Sequence, residues 1–209
     1  MIINWGDAPF KAYITVTYPM GSCTLTDGKR SYSHQGGGTC TFTVGRKCTW
    51  TISCSYENLV SEKTVTPTVM GESISVDMDY RFYIFKQGEG LAKSITSRNL
   101  YRTHSVSTDQ IAIENNYGVH TYASFYPVDL TGYNRMYMHA YHAVNYSEPL
   151  RFGVGTAGEG QDAEAEKATN KKTGEGTWEL DISGLSGEKS VFVGTNCEYA
   201  YVYNWWLEP

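Results

Sequence analysis

Among the side chains able to do chemistry in this 209-residue chain, tyrosine stands out, with 17 copies against 7 Phe and 5 Trp. Tyr joins a large apolar ring to a hydroxyl, so it suits strand surfaces and half-wet contact faces. Two runs set such rings at alternate positions. In RMYMHAYH, Arg135, Tyr137, His139 and Tyr141 fall on one face of a strand, and Met136, Met138 and Ala140 on the other. In YAYVYNWWLEP, Tyr199, Tyr201, Tyr203 and Trp205 share a face if Ala200 and Val202 turn to the core. Sugars present apolar C–H faces and hydroxyl rims, and sites for them use exposed aromatics flanked by polar side chains. The stripe Tyr137, His139, Tyr141 and the stripe Tyr199, Tyr201, Tyr203, Trp205 are therefore the candidate contact faces for a glycan or a partner protein. A purely structural role competes with each. The second stripe packs on the opposite sheet or the first domain in that case, and the first is a solvated or interface face.

No catalytic constellation competes with them. There is no G-x-S-x-G, no H-E-x-x-H and no Gly-rich phosphate loop after a strand. His139 and His142 are three apart, which puts them on opposite faces of a strand and makes them poor co-ligands. Paired carboxylates are available among 22 acids, and that abundance makes them uninformative about glycoside hydrolysis. The chain is expected to be non-enzymatic, with no catalytic residues and no cofactor. Of the five cysteines, Cys23, Cys40, Cys48, Cys54 and Cys197, none forms a C-x-x-C pair, so zinc is not indicated. Cys48 and Cys54 lie roughly 20 Å apart along one strand at ~3.3 Å per residue, too far for a mutual disulfide. Buried free thiols are the plain expectation, and a Cys23–Cys54 or Cys23–Cys40 bridge between strands is the alternative.

Net charge is −5 with Lys and Arg scattered, which is no footprint for nucleic acid. No apolar run approaches membrane-spanning length, so no membrane insertion is expected. The first residues, MIINWGDAPFKAYITVTYP, lack a basic segment followed by an apolar core. That leaves a chain made without a Sec signal, or one from which the signal is missing.

The elements that must carry the aromatic stripes are strands throughout. GTWELDISGLSGEKSVFVGTNCEYAYVYNWWLEP, from Gly176 to Pro209, reads as three antiparallel strands and two turns, with alternation interrupted at Gly184 and Gly187. Ending on Trp205, Trp206 and Leu207, the last strand needs cover and is expected to be central to its domain. Residues 1–10 read as an N-terminal arm anchored by Trp5. From Lys11, AYITVTYP, CTLTDG, TCTFTVG, KCTWTISCSY, SEKTVTPTV and ESISVDMDYRFYIF supply short Thr-rich strands, with residues 29–38 as a polar loop. Residues 86–99 read as a linker, SVSTDQIAIEN as the first convincing strand of a second domain, and 157–176 as a mobile loop or short exposed helix.

The runs YITVTYPMGSCTLTDG, TCTFTVGRKCTWTISCSY and SEKTVTPTVMGESISVDM resemble the short immunoglobulin-like, PEGA-type modules of tail, fibre and surface proteins of Gram-positive bacteria and their phages. VDLTGYNRMYM, LRFGV, GTWELDISGLSGEKSVFVG and YAYVYNWWLE resemble galactose-binding-like jelly-roll modules, which occur as carbohydrate-binding domains and in phage tail-associated proteins. The resemblances imply an all-β chain of two β-sandwich domains, immunoglobulin-like over 11–85 and jelly roll over 100–209. They imply a phage or prophage structural protein of tail, fibre or capsid surface, located in the virion and homo-oligomeric, whose partners are a host cell-surface glycan or other virion proteins. The alternative is a carbohydrate-binding module of a bacterial surface or polysaccharide-degrading system. Structural calcium, held by loop carboxylates and carbonyls, is compatible with the second resemblance.

Overall fold

The computed structural model describes residues 9–92, 95–98, 104–114, 121–143, 150–156, 164–169, 173–195 and 199–209. Its regular structure is entirely β, and it divides into two units, Met1–Tyr80 and Arg81–Pro209.

The first unit holds β1 (Ala12–Tyr18), β2 (Ser22–Thr26), β3 (Ser31–Gln35), β4 (Gly38–Val44), β5 (Trp50–Tyr56), β6 (Leu59–Val65) and β7 (Ser73–Asp77). They form a sheet β4-β1-β7 and a sheet β3-β2-β5-β6. Strict alternation decides both. Ala12, Ile14, Val16 and Tyr18 of β1, Cys23 and Leu25 of β2, Phe42 and Val44 of β4, and Trp50, Ile52 and Cys54 of β5 are all buried. The Thr residues between them pair across strands on the outer side, Thr15 with Thr41 at 3.0 Å and Thr17 with Thr39 at 3.1 Å. β1 runs antiparallel to β4 and parallel to β7. The rings of Tyr32 on β3 and Phe42 on β4 lie 6.3 Å apart, so the two sheets face each other.

The polar stretch 29–38, expected as a loop, contains β3. The Asp27 carboxylate accepts from the N–H groups of Lys29 and Arg30 and closes a hairpin onto β2. SYSHQ buries only Tyr32 and His34 in part, so it is an edge strand without an apolar stripe to announce it.

The second unit starts with β8 (Phe82–Lys86) and β9 (Gly90–Leu91), then β10 (Thr96–Arg98), β11 (His104–Val106), β12 (Ile111–Glu114), β13 (Thr121–Asp129), β14 (Arg135–His142), β15 (Arg151–Thr156), β16 (Glu164–Ala168), β17 (Gly174–Asp181), β18 (Glu188–Thr195) and β19 (Tyr199–Glu208). One sheet has the order β10-β13-β18-β15-β16; the other has β11-β12-β19-β14-β17, with β8 also on β19. From β12 to β15 and again from β16 to β19, successive strands cross from sheet to sheet, as in jelly rolls. One core lies between them, formed by Ala123, Phe125 and Val128 of β13, Val191 and Val193 of β18, Met136, Met138 and Ala140 of β14, and Ala200, Val202, Trp205 and Leu207 of β19, among others.

β19 is the centre of its sheet. β14 lines one side along its length, and the other side is shared by β12 over residues 199–202 and β8 over residues 204–207. That corrects the domain boundary read from sequence. RFYIF belongs with the second unit, where Ile84 and Phe85 are fully buried in its core, and the stretch 86–99 carries β9 and β10 instead of being a bare linker. Within 157–176, Glu164–Ala168 is an edge strand paired to β15; residues 157–163 and 170–172 lie outside the described residues, as do Trp5 and most of the expected N-terminal arm.

Cys23, Cys40, Cys48 and Cys54 are free thiols, so neither expected alternative bridge is formed. Cys23 and Cys54 are direct cross-strand partners and wholly buried. Burial pushes the Cys23 thiol up to about 12 and the Cys40 thiol up to about 11. Cys197 lies outside the described residues.

Candidate functional site

The outer face of the sheet β12-β19-β14-β17 carries the site. On β14 the burial alternates without a break: Met136, Met138 and Ala140 are at 0% exposure, while Tyr137, His139 and Tyr141 point away from the core and are half-buried. On β19 the alternation is interrupted. Ala200 pairs with His142 and Val202 with Ala140, but the next registered pair is Asn204 with His139, so Tyr203 is an extra residue on β19. Such a bulge reverses which later residues face the core. Tyr199, Tyr201 and Tyr203 stay on the outer face as expected. Trp205 does not: it is fully buried against Phe125, ring centroids 5.8 Å apart and edge to face. Trp206 takes the outer position instead, beside Tyr137.

A matching irregularity in β8 seats Phe85 opposite Trp205 in the core and Tyr83 opposite Trp206 outside. The result is a row of three ring groups along one face. Tyr199 and Tyr201 lie 6.4 Å apart and 1° from parallel, and Tyr201 and Tyr141 6.2 Å apart and 15° from parallel. His139 sits 5.5 Å from Tyr203. Tyr137 stacks on Trp206 at 5.3 Å and 16°, and Trp206 continues to Tyr83 at 6.1 Å. From Tyr199 to Trp206 the row spans roughly 20 Å at ~3.3 Å per residue. A cavity of about 330 Å³ opens beside its last ring, lined by Tyr83, Lys86, Glu89, Gly90, Leu91 and Ala92.

Charged side chains fix the rings from the flanks. Arg135 bridges two carboxylates of β17, Nε to Glu179 at 2.8 Å and Nη1 to Asp181 at 2.9 Å. The Glu208 carboxylate accepts from the Trp206 indole N–H at 2.8 Å and from Arg81 Nε at 2.7 Å, and the Arg81 guanidinium lies 5.9 Å from the Trp206 ring centroid. His139 Nε2 approaches Glu175 at 3.7 Å. Burial first, and then the Glu179 and Glu208 carboxylates, hold the Tyr137 phenol above its ordinary range. Tyr203 is raised in the same way, by burial and then by Glu175. Both phenols are therefore hydrogen-bond donors at neutral pH.

Sequence reasoning missed Trp206 and Tyr83. The doubled Trp at 205–206 was a signal that one ring must face out, but which one depends on the bulge. Among the described residues no group of three or more His, Cys, Asp or Glu is placed to hold a metal ion.

No family model matches the chain, and no curated protein matches it. Solved structures do resemble it. One is a low-affinity xylan-binding module, CBM86, from Roseburia intestinalis, with 11% identity, 61% of this chain and 92% of that one covered, and a TM-score of 0.42. Another is the family 29 carbohydrate-binding module CBM29_1 from Piromyces equi, at 11% identity, 62% and 90% coverage and a TM-score of 0.43. A third is a putative carbohydrate-binding protein from Bacteroides uniformis, at 8% identity, 95% and 99% coverage and a TM-score of 0.25.

Chemically, the face offers what a polyhydroxylated chain needs. The rings provide apolar surface for C–H groups, the two raised phenols provide donors, and the exposed carboxylates of Glu175, Glu179 and Asp181 provide acceptors.

Proposed function

We propose that the second unit is a non-enzymatic carbohydrate-binding module that lays an extended glycan along β14 and β19. The observation that supports this is the succession of three ring groups from Tyr199 to Tyr83 on the side of the sheet that faces away from the core. The inner side of that sheet has already buried its apolar residues on the opposite sheet. Cross-strand ring pairs steady the sheet, and the half-buried rings with exposed Tyr199 leave aromatic surface on the outer side that suits a binding face.

The first unit serves in this proposal as a spacer that displays the second. Its topology supports an immunoglobulin-like origin: β6-β5-β2-β3 facing β7-β1-β4 follows the G-F-C-C′ and A-B-E orders of such sandwiches, with the first strand's place taken by the last, parallel to β1. The virion role expected from the sequence gains nothing from these features and gives way to its stated alternative, a module of a bacterial surface or polysaccharide-degrading system.

The test is affinity electrophoresis and calorimetry of the full chain against a panel of soluble polysaccharides, with Tyr137→Ala/Trp206→Ala as the control. We expect at least one polymer to bind and the double variant to lose tenfold or more. Absence of binding across the panel, together with a dimer or ring in sedimentation that the double variant dissociates, would make the row a protein contact instead. Release of reducing sugar would overturn the non-enzymatic part.

A further inference from the structure

We infer that this face selects uncharged glycan chains and discriminates against polyanionic ones; the inference rests on the carbohydrate-binding role proposed above. The ring row is bordered by four carboxylates, Glu175, Glu179, Asp181 and Glu208, and by two guanidinium groups, Arg135 and Arg81, among the described residues. Four negative charges stand against these two and against Lys167, which lies near enough to Asp181 to act on it, so the border stays negative by one charge. Lys86, beside Tyr83 at the end of the row, is already paired with Glu89 and adds no net charge.

Placement matters more than the sum. An arginine recruits an acidic sugar by offering its planar fork to the carboxylate. Here the fork of Arg135 is occupied by Glu179 and Asp181, and Arg81 Nε by Glu208. On the β17 flank the carboxylates are more open to solvent than the arginine, with side-chain exposures of 62% for Glu175, 51% for Glu179 and 58% for Asp181 against 38% for Arg135, whereas at the end of the row Arg81 at 44% is more open than Glu208 at 29%. Each keeps acceptor sites beyond the partner named above, which suits hydroxyl donors and repels a second carboxylate or sulfate. The Trp206 N–H is spent on Glu208, so that ring offers its apolar surface rather than a donor to an anion. β17 is the edge strand of its sheet, so Glu175, Glu179 and Asp181 form one flank of the row along its length, and a uronate or sulfated chain on the rings meets them at intervals.

The experiment compares matched polymers that differ in the carboxylate: hydroxyethylcellulose against carboxymethylcellulose, and methyl-esterified against de-esterified galacturonan, titrated with the full chain at low and high salt. We expect the uncharged member of a pair to bind at least tenfold more tightly at low salt, with the gap narrowing as ionic strength rises. The same narrowing is expected at low salt for Glu175→Gln/Glu179→Gln, whose fold is checked by circular dichroism. The salt series on the unmodified protein carries the test even if that variant does not fold. Equal or stronger binding of the acidic members overturns the inference and leaves the carbohydrate-binding role standing. No binding to either pair or to a wider panel overturns both.

Discussion

Trp205 and Trp206 are neighbours in sequence, yet one is wholly buried among Phe125, Phe85 and the core methionines while the other stacks on Tyr137 at the surface. Their substitutions should separate stability from binding. Trp205→Ala removes a core ring and should cost about 3–5 kcal/mol, read as a lower denaturant midpoint. Trp206→Ala should move that midpoint little and weaken glycan binding instead. If both variants lose the same stability, the outward placement of Trp206 is wrong. The thiols give a second residue-scale prediction. Cys23 and Cys54 are wholly buried and Cys23 titrates near 12, so both should resist an aromatic disulfide reagent in the native state at pH 8 and react at once in denaturant. Rapid native labelling at either position, located by mass spectrometry, would contradict the sandwich interior described for the first unit.

Strands in the second unit are tuned at single residues. The bulge at Tyr203 turns β19 over part-way, so the same strand gives tyrosines to the outer face at one end and Trp205 and Leu207 to the core at the other. Gly153 on β15 sits where a Cβ would run into the backbone of Lys167 and Ala168 on β16. Gly153→Ala must therefore push the edge strand away, and we expect a loss of about 1–3 kcal/mol, with faster amide exchange confined to Glu164–Ala168. Gly194 tells a similar story with a softer neighbour: the Tyr122 ring covers it and packs on Phe192 at 6.0 Å, so a side chain there would have to displace that ring.

At the scale of the whole molecule, each unit has its own buried residues, and the break falls at Tyr80–Arg81. A fragment 81–209 should fold and bind polysaccharide with the affinity of the full chain. A fragment 100–209 should not fold, because it lacks β8, which hydrogen-bonds β19 and supplies Ile84 and Phe85 to the core. Circular dichroism and calorimetry of the two fragments decide this. The two sheets of that unit are also tied by a buried polar pair, His142 Nε2 to Thr195 Oγ1 at 2.8 Å. Burial lowers the His142 pKa, so the unfolded state takes up a proton more readily than the folded one. Stability from this site is complete above the unfolded value of about 6.5 and falls as pH drops below it, by at most about 1.4 kcal/mol per pH unit. His142→Gln should flatten that slope between about pH 6.5 and 5; an unchanged slope would assign it to other groups.

The sequence by itself determined the all-β class, the inward face of β14, the outward stripe Tyr137, His139 and Tyr141, the central position of the last strand and the opposite orientations of His139 and His142. These follow from the period-two alternation of side chains, which is local and survives whatever the strand pairs with. Only the tertiary structure decided the rest. β3 and β16 are edge strands, held by one neighbour's hydrogen bonds and carrying no apolar stripe, so composition marked them as loops. β8 follows β7 closely in the chain but belongs to the other unit, since pairing with β19 is a long-range choice. The exchange of Trp205 for Trp206 on the outer face turns on one unpaired residue, Tyr203, and a bulge leaves no mark in composition because any residue can occupy it. Alternation fixes which residues share a face only until the register slips, and the partner strand decides where it slips.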